Sequence, residues 1–269
     1  MGNLTLNGST SGQITLTPTA VAGTNTLTLP AATDTLVGKA TTDTLTNKTL
    51  TGSVLSAGTT SVAPLNFTSG TNLTSATAGA MEYDGKVLYA TPQSTQRGIV
   101  PGAQFFRLNS DLAGANVATA QNTFGVGVTL SSSTIYEFEC MYVLTRTAGT
   151  TAHNVSFGFG GTATINNALI FYNDYDTNTA IPLVKVTGST LNVVNSLAAT
   201  NTTGSITQAT YSIFIKGTGT ISVNAGGTII PQYTLSAAPG GAYSTIAGSY
   251  FYIYPIGASG SNTSVGTWA

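Results

Sequence analysis

The stretch TNTLTLPAATDTLVGKATTDTLTNKTLTGSV, Thr24–Val54, repeats a unit of nine residues: Leu27, Leu36, Leu45 and Val54 each follow a polar triplet opened by Thr24, Thr33, Thr42 or Thr51. Threonine is β-branched and favours extended backbone, so each unit predicts a short strand. A continuous strand alternates its faces with period two, and an odd spacing would send successive apolar residues to opposite sides. A turn must therefore break each unit, and Pro30, Gly38-Lys39, Asn47-Lys48 and Gly52 stand where one is needed. One apolar side chain per unit cannot offset an ordering cost of about 1–2 kcal/mol for each residue. The tract is expected to fold only when identical copies wrap together and share Leu27, Leu36, Leu45 and Leu50 as a common core.

Upstream, Leu4-Thr5-Leu6 and Ile14-Thr15-Leu16 alternate like strands around a Gly/Ser turn cluster at 7–12, and Ser69–Gly79 reads as a linker. Three regions follow: a Thr-rich arm and stalk over 1–79, a hairpin and connector over 80–101, and a β-sandwich over 102–269. In the second, Met81–Tyr89 alternates around Asp84-Gly85, the pair suited to a type I′ turn. In the third, about ten short strands are separated by turns, with no helical period, which predicts a two-sheet sandwich or jelly roll. These strands include Ile135–Arg146, Leu169–Tyr172, Ile181–Val186 and Ser264–Trp268. Gly217-Thr218-Gly219 and Ala225-Gly226-Gly227 read as turns of a meander from Tyr211 to Tyr233. In Ser249–Pro255, Phe251 and Ile253 point one way and Tyr250, Tyr252 and Tyr254 the other. Both faces are bulky, so the tyrosine face is expected to lie between neighbouring subunits, with Trp268 anchoring a last strand in the same sheet.

Composition narrows the function. Charged residues make up 6% of the 269 residues and hydrophobic ones 41%, against roughly 25% charged in ordinary globular chains. That balance fits a surface consumed in assembly. The net charge of -1 argues against nucleic acid as a partner. No apolar run approaches the ~18 residues of a membrane span, and the opening residues lack the pattern of a secretory signal. Cys140 is the only cysteine and His153 the only histidine, which excludes an intrachain disulfide and a His/Cys zinc site within one chain.

Three constellations touch on chemistry. Glu137 and Glu139 project from one side of a strand whose other side carries Tyr136, Phe138 and Cys140. A carboxylate pair is the equipment of glycoside hydrolysis, and the plainer reading, a polar strand face, is the one adopted. Asp174, Asp176 and Asn178 open like a calcium loop, but Thr179 and Lys185 occupy the positions where an EF-hand needs Gly and Glu, so a solvated turn is expected. His153 has no serine or cysteine partner in any catalytic motif and is read as a surface or hydrogen-bonding residue. No catalytic residue, cofactor or metal is expected.

The segments GNLTLNGSTSGQITLTPTA, GTNTLTLPAATDTLVG and TTDTLTNKTLTG resemble the repetitive N-terminal part of tailed-bacteriophage fibre proteins, most specifically in Leu45–Leu50. The hairpin AMEYDGKVLYATP (Ala80–Pro92) and the closing PQYTLSAAPGG, GSYFYIYPIGA and VGTWA resemble such virion proteins too. The resemblance implies a homotrimeric, non-enzymatic virion component: an N-terminal segment attached to capsid or tail proteins, an intertwined β stalk, and a distal sandwich head able to adhere to host surface glycan. Members serve as tail fibres, head fibres or capsid decoration proteins. The last implies an alternative, a cement protein whose N-terminal arm clamps major capsid subunits.

Overall fold

Strand Thr134–Arg146 has the plainest alternation in the chain. Tyr136, Phe138, Cys140, Tyr142 and Leu144 are buried, while Glu137 and Met141 between them are exposed. Around it the chain forms an all-β structure. The computed structural model describes residues 4–17, 19, 23–24, 26, 49–177 and 188–268, and no helix occurs among them. Leu27, Leu36 and Leu45, with most of the repeat, lie outside the described residues, as does the strand expected at Ile181–Val186.

Two units divide the chain, Met1–Pro64 and Leu65–Ala269. In the first, β1 (Leu4–Asn7) and β2 (Gln13–Leu16) form the expected hairpin, pairing Leu4 with Leu16 and Leu6 with Ile14. Every described residue of this unit is exposed. Leu50, the one candidate core residue within the described set, is 68% exposed, and Val54 is 92% exposed.

The second unit opens with β3 (Met81–Tyr83), β4 (Leu88–Gln93) and β5 (Gln96–Val100), an antiparallel meander. The hairpin expected around Asp84-Gly85 forms with a four-residue loop instead of a type I′ turn, because Tyr83 pairs with Leu88 and only Gly85 takes positive φ, 92°. The Asp84 carboxylate stabilises that loop by accepting the N–H groups of Lys86 and Val87, both at 2.8 Å. Ser69–Gly79 is not a free linker: Gly70 N–H donates to Tyr83 O at 2.9 Å and Leu73 N–H to Glu82 Oε1 at 2.5 Å. Arg97 completes the clamp, pairing with Glu82 at 2.8 Å and donating to Leu73 O at 2.7 Å.

The remaining strands are β6 (Gln104–Arg107), β7 (Leu112–Ala113), β8 (Gln121–Asn122), β9 (Val128–Leu130), β10 (Thr134–Arg146), β11 (Val155–Gly161), β12 (Thr164–Thr177), β13 (Gly188–Val194), β14 (Thr200–Asn201), β15 (Tyr211–Ala225), β16 (Gly227–Leu235), β17 (Ser244–Thr245) and β18 (Tyr250–Ala258). One antiparallel sheet runs β13-β12-β15-β10, with β18 and then β6 beside one part of β10 and β17 and then β7 beside another. The facing sheet runs β14-β11-β16, with β8 and β9 along β16. Edge-to-face aromatic pairs join the two: Phe138 meets Phe159 at 5.4 Å between centroids and Tyr142 meets Phe157 at 5.6 Å. The result is a sandwich-like body with one shared core.

Three expectations need correction here. Gly217-Thr218-Gly219 is not a turn but the middle of β15, which runs unbroken along both β10 and β12. The glycines are there because large neighbours take the space a side chain would fill, Cys140 and the Tyr172 ring over Gly217, and the Phe138 ring with β12 backbone over Gly219. Nor is Tyr211–Tyr233 a meander. Strands β15 and β16 belong to different sheets, so the glycines at 226 and 227 carry the chain across the sandwich. Finally, no strand forms at Ser264–Trp268. Gly266 takes a φ of 104°, Trp268 bonds back to Val265 O at 2.8 Å, and the indole is 82% exposed.

Candidate functional site: an aromatic and carboxylate sheet face

Along β18 the alternation holds: Phe251 and Ile253 are buried, while Tyr250, Tyr252 and Tyr254 point outward and stay partly exposed. Their rings succeed one another at 6.3 and 6.4 Å, inclined by only 11° and 14°. Strand β6 adds a fourth ring, because Phe105 stands opposite Tyr252, lies 5.9 Å from the Tyr250 ring, and is 60% exposed.

Strand β10 brings the acidic groups. Glu139 pairs with Tyr252 and Glu137 with Tyr254, so both carboxylates share the outer face with the tyrosines. Tyr250 Oη donates to Glu139 Oε1 at 2.8 Å. That bond to an anion is the main cause that pushes the Tyr250 phenol up to about 12. Tyr254 is likewise pushed up to about 12, first by burial and then by the Glu137 carboxylate. Tyr252 rises through burial and the charges of Glu139 and Glu137. The sequence thus offered two separate candidates, an acidic pair and a tyrosine face, and the register of β10 with β18 makes them one surface.

Beyond β10 the face continues through Thr218 and Thr220 on β15 to Phe171 and Leu169 on β12, both exposed. Lys216, opposite Met141, is also exposed there. Near Tyr254 the register of β10 with β18 shifts by one residue: Tyr136 pairs with Pro255 and Ile135 with Gly257, leaving Ile256 as a bulge. Past the bulge the 259–263 segment folds back, tied by Ser259 N–H to Ser133 O at 3.1 Å. It borders an open cavity of about 660 Å³ whose walls include Asn167, Thr220, Ser222, Ile256, Asn262 and Thr263, and no charged residue lines it.

The other candidates sit elsewhere. Asp174 and Asp176 are not in a turn: both lie within β12, where Asp174 is buried and Asp176 accepts the Tyr211 hydroxyl at 2.5 Å. Asn178 lies outside the described residues, and among those described no three His, Cys, Asp or Glu side chains come together as a metal site would require. His153 is buried and hydrogen-bonded, its Nδ1 at 2.8 Å from Thr151 O and its Nε2 at 3.0 Å from Tyr243 Oη. Sequence reasoning missed its neighbour Arg146, whose guanidinium is buried over the Tyr243 ring at 5.3 Å and donates to the carbonyls of Pro239 and Gln208. It also missed Phe105, since a four-residue edge strand carries too little periodicity to be seen.

Compared with protein-family models, curated proteins and solved structures, the chain matches none.

Proposed function

We propose that this protein is a non-enzymatic structural and adhesive component of a tailed-bacteriophage virion, a fibre of three copies. The N-terminal region would attach to capsid or tail proteins, and a jelly-roll-like sandwich would form the projecting head. One observation carries the reading beyond the resemblance: through Pro64 the chain buries none of its described residues, although Leu4, Leu6, Ile14, Leu16, Leu50, Val54, Leu55 and Val62 are all large and apolar. Burial would yield about 1.5–3 kcal/mol for each such side chain, a gain that wrapping with sister copies would release.

The sequence pattern assigned Tyr250, Tyr252 and Tyr254 to contacts between heads. Glu137 and Glu139 on the same face weigh against that role. Both accept a tyrosine hydroxyl, but a carboxylate with no cation beside it still costs several kcal/mol to bury in a dry contact. We therefore place this face outward, with the N-terminal region supplying the association. An enzymatic role fits poorly as well: a glycosidase needs carboxyl groups flanking the scissile bond, whereas these two project in parallel from one strand. Immunogold labelling of purified particles with antibody to residues 102–269 tests the assignment. Label at the capsid or tail is the expected result, and particles without label would overturn it.

A further inference from the structure

The outer sheet face and the cavity at its end form one continuous surface. Thr220 belongs to both, since it lines the cavity and pairs with Glu137, which in turn pairs with Tyr254. Ile256 lies on the same strand, just past Tyr254, and also lines the cavity. From the cavity outward this surface presents neutral amides and hydroxyls, then two carboxylates, then four aromatic rings. We propose that it binds an uncharged polysaccharide, with sugar rings packed on Phe105, Tyr250, Tyr252 and Tyr254, hydroxyls donating to Glu137 and Glu139, and one residue of the glycan seated in the Asn167 cavity. The inference rests on the adhesive part of the proposed function and adds to it the place of binding and the class of glycan.

Each component bears on the choice of ligand. Aromatic side chains supply large apolar contact with little conformational entropy to lose. Carboxylates accept only, so they demand a ligand rich in donors, which sugar hydroxyls satisfy. Acidic glycans would meet Glu137 and Glu139 with like charge, and those charges therefore select against uronic or sialic acid. A basic peptide fits less well, because the cavity offers no carboxylate. The cavity, about 660 Å³, lies within the usual range for small-molecule sites, roughly 300–1,000 Å³.

The test is a printed array of neutral and acidic bacterial surface polysaccharides, probed with the fluorescently labelled full-length protein. Binding confined to neutral polysaccharides is expected, weakened about tenfold in Tyr252→Ala and in Asn167→Ala and retained in Tyr252→Phe. Asn167→Ala alters an exposed wall, so its loss of binding cannot be ascribed to unfolding, and melting temperatures would verify this. Glu139→Gln is expected to admit acidic glycans that the natural protein rejects. Binding to none of the neutral glycans, binding to acidic ones by the natural protein, or binding untouched by both alanine variants would overturn the inference. Absence of binding on a protein that immunogold places on the particle leaves the virion assignment standing. Binding by a protein absent from particles does the reverse.

Discussion

Replacing Gly219 by alanine tests how closely β12 and Phe138 close over β15, because a strand packed that tightly has no room for a methyl group. In a continuous β15, a methyl group on Gly219 would collide with the Leu169 carbonyl oxygen and come within 3.0 Å of Ile170 Cα and 3.1 Å of the Phe138 ring. Carbon atoms pack best at about 3.5–4.0 Å, so these atoms must retreat. Two of the three are backbone of β12, and backbone can retreat only by loosening the β12–β15 ladder. Overpacking costs about 1–3 kcal/mol and a lost ladder bond about 1 more. The stiffer unfolded chain returns about 0.4–1. Gly219→Ala is therefore expected to destabilise by ~1–3.6 kcal/mol. Gly217→Ala should cost less, ~1 kcal/mol, since the atoms it meets, Cys140 Sγ at 2.8 Å and the Tyr172 ring at 3.1 Å, are side chains that can shift. Gly102, with nothing within 4 Å, is the control and should change by no more than ~0.5 kcal/mol. Urea unfolding of the full-length variants at one protein concentration, followed by near-ultraviolet circular dichroism, measures all three. Gly219→Ala as stable as Gly102→Ala would mean that β12 and Phe138 do not close over Gly219 and that the register of β15 with β12 is wrong.

Three further outcomes are expected. Burial lowers the His153 pKa from its ordinary 6.5, with the nearby Arg146 charge adding to the effect. The unfolded chain therefore binds more protons below about pH 6.5, and stability present above that pH is lost as pH falls towards the lower folded value. Melting temperatures should fall more steeply below pH 6.5 in the natural protein than in His153→Gln, and equal slopes would contradict the burial of the imidazole. Cys140 is buried and its thiol pushed up to about 12, so a disulfide reagent should modify it only after denaturation, and rapid native labelling would place it outside the core. Glu139→Gln removes the charge that holds the Tyr250 phenol at about 12. Tyrosinate absorbance should then appear at lower pH than in the natural protein, and an unchanged titration would mean that the two side chains do not meet.

The all-β class was legible because strands such as β10 and β18 place residues on strict alternation, with Tyr136, Phe138 and Cys140 or Phe251 and Ile253 facing inward. The β1–β2 hairpin was legible for a similar local reason: Leu4, Leu6, Ile14 and Leu16 flank a Gly/Ser turn. What escaped depends on partners distant in sequence. Gly217 and Gly219 resemble turn residues unless it is known that Tyr172 and Phe138 lie over them. The meeting of Glu139 with Tyr250 spans 111 positions and follows from a register that local pattern cannot supply. The same holds for β6, β8, β9, β14 and β17, which have two to four residues each and pair along the edge of a longer strand, and for β7, which pairs with β17 in turn. Trp268 misled for another reason: a large aromatic near a chain end suggests an anchor, yet Gly266 turns the backbone and leaves the ring outside.

The mass of the full-length protein in solution, determined by light scattering together with limited proteolysis, tests the central claim most directly. Three chains of 27.3 kDa are expected, with residues 1–64 as resistant to protease as the sandwich. A single chain whose first 64 residues resist protease equally would contradict it, because those residues would then be stable without company.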